Sequence, residues 1–554
     1  MSGTAFAASS GIARIRTGEN PKYRGLNMSE PRRPIDLYDT TLRDGVQREG
    51  LNLSLDDKLK IALRLDRLGV AYIEGGYPGS NPRDAEFFVR ARELTWKHAT
   101  IVAFGSSRYK GNRAEDDPNL RVLADAGTSV VTIVCKNNAV QVRDVLGVSL
   151  DENLAMIRDS VGFLRERGKR VFYDAEHFFD GWKHDEPYAR ACIEAAASSG
   201  AEALVLCDTN GGTLPTDIER IVRQVRSSFG PEIAIGIHTH NDCELAVAGA
   251  IAALGVGATH VQGTINGYGE RCGNANLCSI IPTLKLKLGI DCVSDEQLAS
   301  LTDTARFVAA VCNLNPDPHA AFVGASAFAH KAGYHADAMR KDPMSYQHVA
   351  PDAVGNVSRI LISELSGKAA VVTRAEALGV GISSPDRARK VVAQVKELER
   401  KGFQFEGAEA SFELMVRRTH EDYRAPFELV DFLAMVESRD GRDMLAEAMV
   451  KLRIDGEVIH TAGEGNGPVN ALDQAMRKAL VGSYPNVDSI RLTDYKVRVI
   501  DEGSGTAAQT RVTIDSADDG ATWTTVGSST NIIEASWFAL ADSLEFGLTR
   551  LSRG

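Results

Sequence analysis

The sequence predicts an α/β fold: a (β/α)8 barrel, then a mostly helical linker region, then a C-terminal α+β regulatory module built from two pseudo-repeats. Three observations predict it. From residue 35 to about 290, short apolar runs alternate eight times with amphipathic stretches, the count and spacing of a closed barrel. Residues able to do chemistry cluster where several of those runs end, which is where barrels place function. After residue 410 a pattern of strands, turn and helix occurs twice. A doubly wound open sheet is the alternative for the first part.

The predicted strands are Ile35–Asp39, Val70–Gly75, Thr100–Phe104, Ser129–Val134, Arg170–Asp174, Ala203–Cys207, Ile233–His238 and Thr259–Gln262. Between them Asp56–Leu68 carries Leu59, Ala62 and Leu63 at helical spacing, with Ser54 placed as its N-cap. Asn153–Arg167, Pro187–Ser199, Pro215–Phe229 and Glu244–Leu254 follow the same plan. Helices are expected over Asp295–Val311, Ala353–Ser366, Gly367–Leu378 and Asp386–Lys401. The segment Phe322–His335, with two histidines and little periodicity, reads as a loop or lid. Near the end, Met449–Gly456 leads through Gly463-Glu-Gly-Asn-Gly into a helix reaching Leu480. Thr510–Asp515 leads through Val526-Gly-Ser-Ser-Thr-Asn into a helix reaching about Leu551. Two such copies suit a pseudo-symmetric binding or dimerisation module, with a groove at the paired helix N-termini. The domain boundaries expected are a disordered leader over 1–34, the barrel over 35–294, the linker with its lid over 295–405, and the C-terminal module over 406–554.

Composition bounds the function. The chain has 554 residues, 44% hydrophobic and 25% charged, with a formal net charge of -11, an ordinary globular balance. An acidic chain is a poor partner for nucleic acid or an anionic membrane, since both select a basic face. No apolar run approaches the roughly 20 residues needed to span a bilayer. The eight cysteines are scattered without a Cys-x-x-Cys pair, as suits reduced thiols and a cytoplasmic location. Residues 1–34 lack a signal peptide's apolar core, and Met28 is a candidate natural start.

The chemistry centres on two stretches. Leu37-Tyr-Asp-Thr-Thr-Leu-Arg-Asp-Gly45 leaves the first strand with Arg43 and Asp44 side by side. Ile237-His-Thr-His-Asn-Asp242 ends the seventh strand, and alternate residues of a strand share a face. His238 and His240 therefore project together, well placed to chelate a divalent cation, with Asp44 as the anionic third ligand. Two imidazoles and a carboxylate leave coordination positions open, as catalytic sites need. Asn274 follows strand eight, which neighbours strand one in a closed barrel, so it can reach the same ion. Glu74, Asp174, Glu176 and the Asp208-Thr-Asn-Gly-Gly212 turn add polar groups at other strand ends. Such an ion polarises a carbonyl oxygen as a Lewis acid. With Arg43 beside it to hold a developing alkoxide, the set suits carbon–carbon bond chemistry at a 2-oxo acid.

Asp39-Thr-Thr-Leu-Arg-Asp-Gly45, His238-Thr-His-Asn-Asp242 and Gly267-Tyr-Gly-Glu-Arg-Cys-Gly-Asn274 together resemble the 2-isopropylmalate synthase, homocitrate synthase and citramalate synthase family. The resemblance covers essentially the whole chain after residue 34. Three further stretches resemble the (R)-citramalate synthase branch: Arg43-Asp-Gly-Val-Gln-Arg-Glu-Gly50, Gly75-Gly-Tyr-Pro-Gly-Ser-Asn-Pro-Arg-Asp84 and Phe172-Tyr-Asp-Ala-Glu-His-Phe-Phe-Asp-Gly181. The resemblance implies a metal-dependent Claisen condensation of acetyl-CoA with pyruvate, then thioester hydrolysis, opening a route to isoleucine. It implies Arg43 as catalytic and substrate-binding, and Asp44, His238, His240 and Asn274 as ligands of Zn2+, Mn2+ or Mg2+. It implies Thr209 as a pyruvate contact and Glu176 as partner of the catalytic base. Relatives usually carry Glu-Asp where this chain has Glu176-His177, so Asp174 competes with Glu176 for that role. Ala327–His335 resembles a subdomain that reaches a neighbouring subunit's barrel, with His335 as general base, Tyr346 in support and His330 as competitor. A homodimer and isoleucine as feedback ligand of the C-terminal module are further implications. The alternatives are a 2-isopropylmalate synthase, taking 2-oxoisovalerate and answering to leucine, and a non-catalytic amino-acid sensor.

Overall fold

In a computed structural model, the structure describes residues 34–551 apart from 332–334, 336–337, 340, 362–367, 383, 439–443 and 501. The leader expected over 1–34 lies, but for its last residue, outside them. The described chain falls into two compact units. One ends at Ala327 and takes in Val349–Val357. The other comprises Phe328–His348 and the chain from Ser358 onward.

The first unit is the barrel. β1 (Asp36–Asp39), β2 (Tyr72–Gly76), β3 (Thr100–Ser106), β4 (Val130–Lys136), β5 (Arg170–Glu176), β6 (Ala203–Asp208), β7 (Ala234–Thr239) and β8 (His260–Gly263) pair in sequence order. β1 closes on β8 in parallel register, Asp36 opposite His260 and Asp39 opposite Gly263. The open-sheet alternative is thereby excluded. The strands run as near-continuous apolar stretches because both faces are covered, inside by side chains and outside by helices. Tyr38, Tyr72, Val102, Val130, Phe172 and Ala203 form one buried cluster, and the His260 ring sits among the Tyr38, Tyr72 and Phe172 rings. The connecting helices start where capping chemistry allows. Ser54 forms a full capping box with Asp57 ahead of Leu55–Leu68. Asn81, Asp117, Ser149 and Asp185 cap the helices that follow them.

Two helix expectations fail beyond the barrel strands. Asp295–Val311 is two helices, Asp295–Ala299 and Leu301–Val311, which meet at Ser300, where both the backbone N–H and the hydroxyl turn back to the Gln297 carbonyl, at 3.0 and 2.7 Å. The helix expected over Ala353–Ser366 is absent among the described residues. Pro351–Val354 is a single 3-10 turn, stopped by Gly355 at φ 70°. There the Asn356 amide donates to the carbonyls of Phe322 and Gly324, both at 2.9 Å, which fixes the chain in a non-helical path.

In the second unit, β9 (Ala329–His330) pairs in parallel with β10 (Arg359–Ile360), so the segment read as a loop holds a short strand. Helices Lys368–Ala377, Pro385–Arg400 and Glu409–Arg417 follow, the last unforeseen. Val371, Val391, Val395, Phe405, Phe412 and Val416 form their core. The pseudo-repeat is real. β11 (Glu428–Glu437), β12 (Leu445–Ile454) and β13 (Glu457–Gly465) make an antiparallel sheet followed by the helix Pro468–Leu480. β14 (Arg491–Val499), β15 (Thr510–Ala517) and β16 (Thr522–Ser529) repeat it before the helix Ile532–Leu551. Strict alternation in β12 buries Ala446, Ala448, Val450, Leu452 and Ile454 against these helices. No described helix is long and apolar enough to cross a membrane.

Candidate active site

The chain after β1 turns sharply because one carbonyl, that of Thr40, accepts from the backbone N–H groups of Arg43, Asp44 and Gly45 at 3.1, 2.9 and 3.0 Å. That turn, beyond the strand rather than on it, aims Arg43 and Asp44 over the barrel's C-terminal mouth. Asp44 Oδ2 lies 3.3 Å from His238 Nε2 and 3.9 Å from His240 Nε2. The two Nε2 atoms are 3.4 Å apart. One ligand atom from each of the three residues fits within 4.8 Å of the others, and all three residues are buried.

The donor set fits a divalent cation. Asn274 Oδ1 is a buried acceptor with no hydrogen-bond partner among the described residues, and its Nδ2 donates to the Tyr268 carbonyl at 3.2 Å. Asn274 bridges to His240 through the backbone, so the predicted fourth ligand belongs to the same wall. Glycine makes this possible. A Cβ on Gly273 (φ 92°) would stand 2.0 Å from the Gly267 carbonyl oxygen, and one on Gly269 (φ 155°) 2.1 Å from Asn274 Nδ2. Burial pushes the Asp44 carboxyl pKa up, but Arg43 and His238 more than reverse it and hold the group ionised. Burial and the neighbouring His238 push His240 down to about 4, so its ring is neutral near pH 7, as a metal ligand must be.

Arg43 is clamped. Its Nε donates to Glu74 Oε2 at 2.6 Å, and Nη1 stands 3.2 Å from Asp44 Oδ2. The guanidinium carbon lies 4.0 Å from the centre of the Phe104 ring, a cation–π contact. Glu74 is fully buried, and its other oxygen accepts from the Tyr38 hydroxyl at 2.7 Å.

Asp174 and Glu176 share a strand face but part company. Asp174 is buried and accepts from Gln262 Nε2 at 3.0 Å. Burial and Glu74 raise its pKa to about 7. Glu176 sits at the rim, 2.7 Å from Lys136 Nζ. Thr209 accepts from the His177 backbone N–H at 2.8 Å, which supports His177 in a left-handed conformation at φ 56°. That bond uses the Thr209 oxygen as acceptor, and its hydroxyl proton remains for an acceptor of its own. His335 and Tyr346 belong to the second unit, where their rings stack at 4.1 Å between centres. His330 is on β9, and burial and His335 lower its pKa.

Sequence reasoning passed over Gln262, Lys136, Phe104 and Tyr38. Gln262 left a faint signal, as the one amide in β8. Its β-register partner is His238, a fact that only strand pairing supplies.

Comparison with known proteins places the chain. The family model described as HMGL-like matches residues 34–308, that described as homocitrate synthase post-HMGL domain-like matches 322–402, and the LeuA allosteric (dimerisation) domain matches 406–548. The chain is 50% identical to an (R)-citramalate synthase of Synechocystis sp. over 95% of its length and 98% of the relative's. The chain belongs to the (R)-citramalate synthase family. An (R)-citramalate synthase of Geobacter sulfurreducens is 48% identical over 93% of this chain and 97% of its own. A 2-isopropylmalate synthase of Shewanella amazonensis is further off, at 30% identity over 91% of this chain and 94% of its own.

Proposed function

We propose that this chain is an (R)-citramalate synthase: it condenses acetyl-CoA with pyruvate and hydrolyses the thioester to give (R)-citramalate and CoA. The observation that carries the reading is the gap in identity. Five (R)-citramalate synthases lie at 43–50% over almost the full length, and the 2-isopropylmalate synthases at 28–30%. The intact constellation around Asp44 argues against a non-catalytic sensor.

The residues divide the work. Asp44, His238, His240 and Asn274 hold a divalent cation, Zn2+, Mn2+ or Mg2+. When bound, such an ion supplies Lewis acidity to a carbonyl oxygen. Thr209 donates a hydrogen bond from its hydroxyl to the pyruvate carboxylate. His335, reaching in from a neighbouring subunit with Tyr346 in support, takes a proton from the acetyl methyl group as general base. Glu176 partners that base. Its partly exposed place at the end of β5 supports Glu176 over Asp174, which is buried and accepts from Gln262 inside the barrel. The acetyl carbon attacks the keto carbon of pyruvate, and Arg43 stabilises the negative charge that grows on the keto oxygen. Water then cleaves the thioester. The chain works as a cytosolic homodimer joined through the module at 406–548, with isoleucine as its feedback ligand there. The eight free cysteines suit that compartment.

The test is CoA release by the purified protein with a panel of 2-oxo acids, with and without isoleucine. Pyruvate is expected to give the highest kcat/KM, and isoleucine to lower the rate. A preference for 2-oxoisovalerate overturns the reading. A deletion ending near residue 405 that keeps isoleucine sensitivity overturns the effector assignment.

A further inference from the structure

His238 Nδ1 lies 2.7 Å from Gln262 Oε1, and Gln262 Nε2 lies 3.0 Å from Asp174 Oδ1. The three side chains are buried, at 5%, 1% and 3% exposure. We propose that Gln262 is a positioning residue of the cation site, which with Asp174 fixes the His238 imidazole in the tautomer that points its lone pair at the ion. This rests on the cation site described above.

The argument is one of donors and acceptors. Gln262 Nε2 donates to Asp174 Oδ1, so the NH2 end of the amide is turned toward Asp174. The carbonyl end then faces His238, and a carbonyl oxygen only accepts. The Nδ1 atom must therefore carry a ring proton, which leaves Nε2, facing Asp44 and His240, as the nitrogen able to offer its lone pair to an ion. A histidine ligand held through its other ring nitrogen is pre-oriented and more basic. The strands make the arrangement rigid, because His238 and Gln262 are register partners on β7 and β8. Nothing in the sequence pattern marks this link, which joins a carboxylate on β5 to a ligand on β7 through an amide on β8.

Mn2+ titration of the full-length metal-free protein, followed by the EPR signal of free Mn2+, tests it. Gln262→Met keeps the volume and removes both hydrogen bonds. It is expected to weaken Mn2+ binding roughly 10- to 100-fold, with the thermal unfolding midpoint of the metal-free protein little changed. Gln262→Glu is expected to bind within a few-fold of the parent, because the new carboxyl can give its proton to Asp174 and accept from His238. A merely structural role predicts the reverse: a lowered metal-free midpoint in Gln262→Met and no rescue by Gln262→Glu. Parent-like Mn2+ affinity in Gln262→Met overturns the positioning role. Parent protein that binds no Mn2+, or binds it undiminished in His240→Ala, overturns the cation site and the inference with it.

Discussion

Replacing Glu74 separates the charge that holds Arg43 from the space that Glu74 fills. The Glu74 carboxylate accepts from Arg43 Nε at 2.6 Å and from the Tyr38 hydroxyl at 2.7 Å, with no exposure to solvent. In Glu74→Gln the amide oxygen can still accept from Arg43. Its NH2 end then faces Tyr38, which adapts by turning its proton to Thr132 Oγ1, already 2.7 Å away. The loss is the difference between a charge-assisted and a neutral hydrogen bond, about 1–1.5 kcal/mol. At a tenfold change in rate per 1.36 kcal/mol, kcat/KM for pyruvate should fall about 5- to 15-fold. Glu74→Leu removes the partner of a buried cation outright, a loss of about 3–5 kcal/mol when nothing replaces it. Arg43 keeps Asp44 at 3.2 Å, so the lower end applies, about 100- to 1,000-fold in kcat/KM. Initial rates of CoA release at varied pyruvate read both values. If Glu74→Leu stays within threefold of the parent, Glu74 does not hold Arg43 for catalysis, and the clamp argument is wrong.

Three other outcomes are expected. Chelation with EDTA should abolish CoA release and added Mn2+ or Zn2+ restore it, whereas His240→Ala should resist restoration at concentrations that saturate the parent; full recovery in that variant counts against His240 as a ligand. His335→Ala should lower kcat roughly 10²- to 10⁴-fold, the usual contribution of a positioned general base, with KM for pyruvate little altered; an unchanged kcat would move the role to another residue. Burial raises the Asp39 pKa from 3.8 to about 7. The fold therefore favours its protonated form, and this contribution to stability is complete below about pH 4 and lost as pH rises through 7. Asp39→Asn cannot titrate, so the midpoint of its metal-free form should fall less than the parent's between pH 5 and 8, by a few degrees. Identical slopes in parent and variant would contradict this.

Much of the barrel was legible because its signals are local. Apolar runs of strand length and capped amphipathic helices repeat in order, and a parallel sheet covered on both faces leaves few other arrangements. The His238–His240 pair was legible too, since a strand's period of two decides which side chains share a face. Ala353–Ser366 shows where local signals stop. Its composition suits a helix, yet Gly355 ends the turn, and the Asn356 amide finds its acceptors about thirty residues back, at Phe322 and Gly324. No helical window contains those partners.

The sequence by itself determined the eight-stranded barrel and the pair of strands-then-helix repeats at the C-terminus, and it singled out the four cation ligands proposed here, because each depends on residues close together or on closure of strand eight against strand one. Only the tertiary structure decided what surrounds them. Glu74 clamps Arg43 from β2, Gln262 orders His238 from β8, and Asp174 and Glu176 serve different partners from one face of β5. Those assignments turn on which donor meets which acceptor across strands far apart in sequence. A hydrogen bond needs its two atoms within about 3 Å and suitably aimed, and that is settled by packing, after the chain has folded.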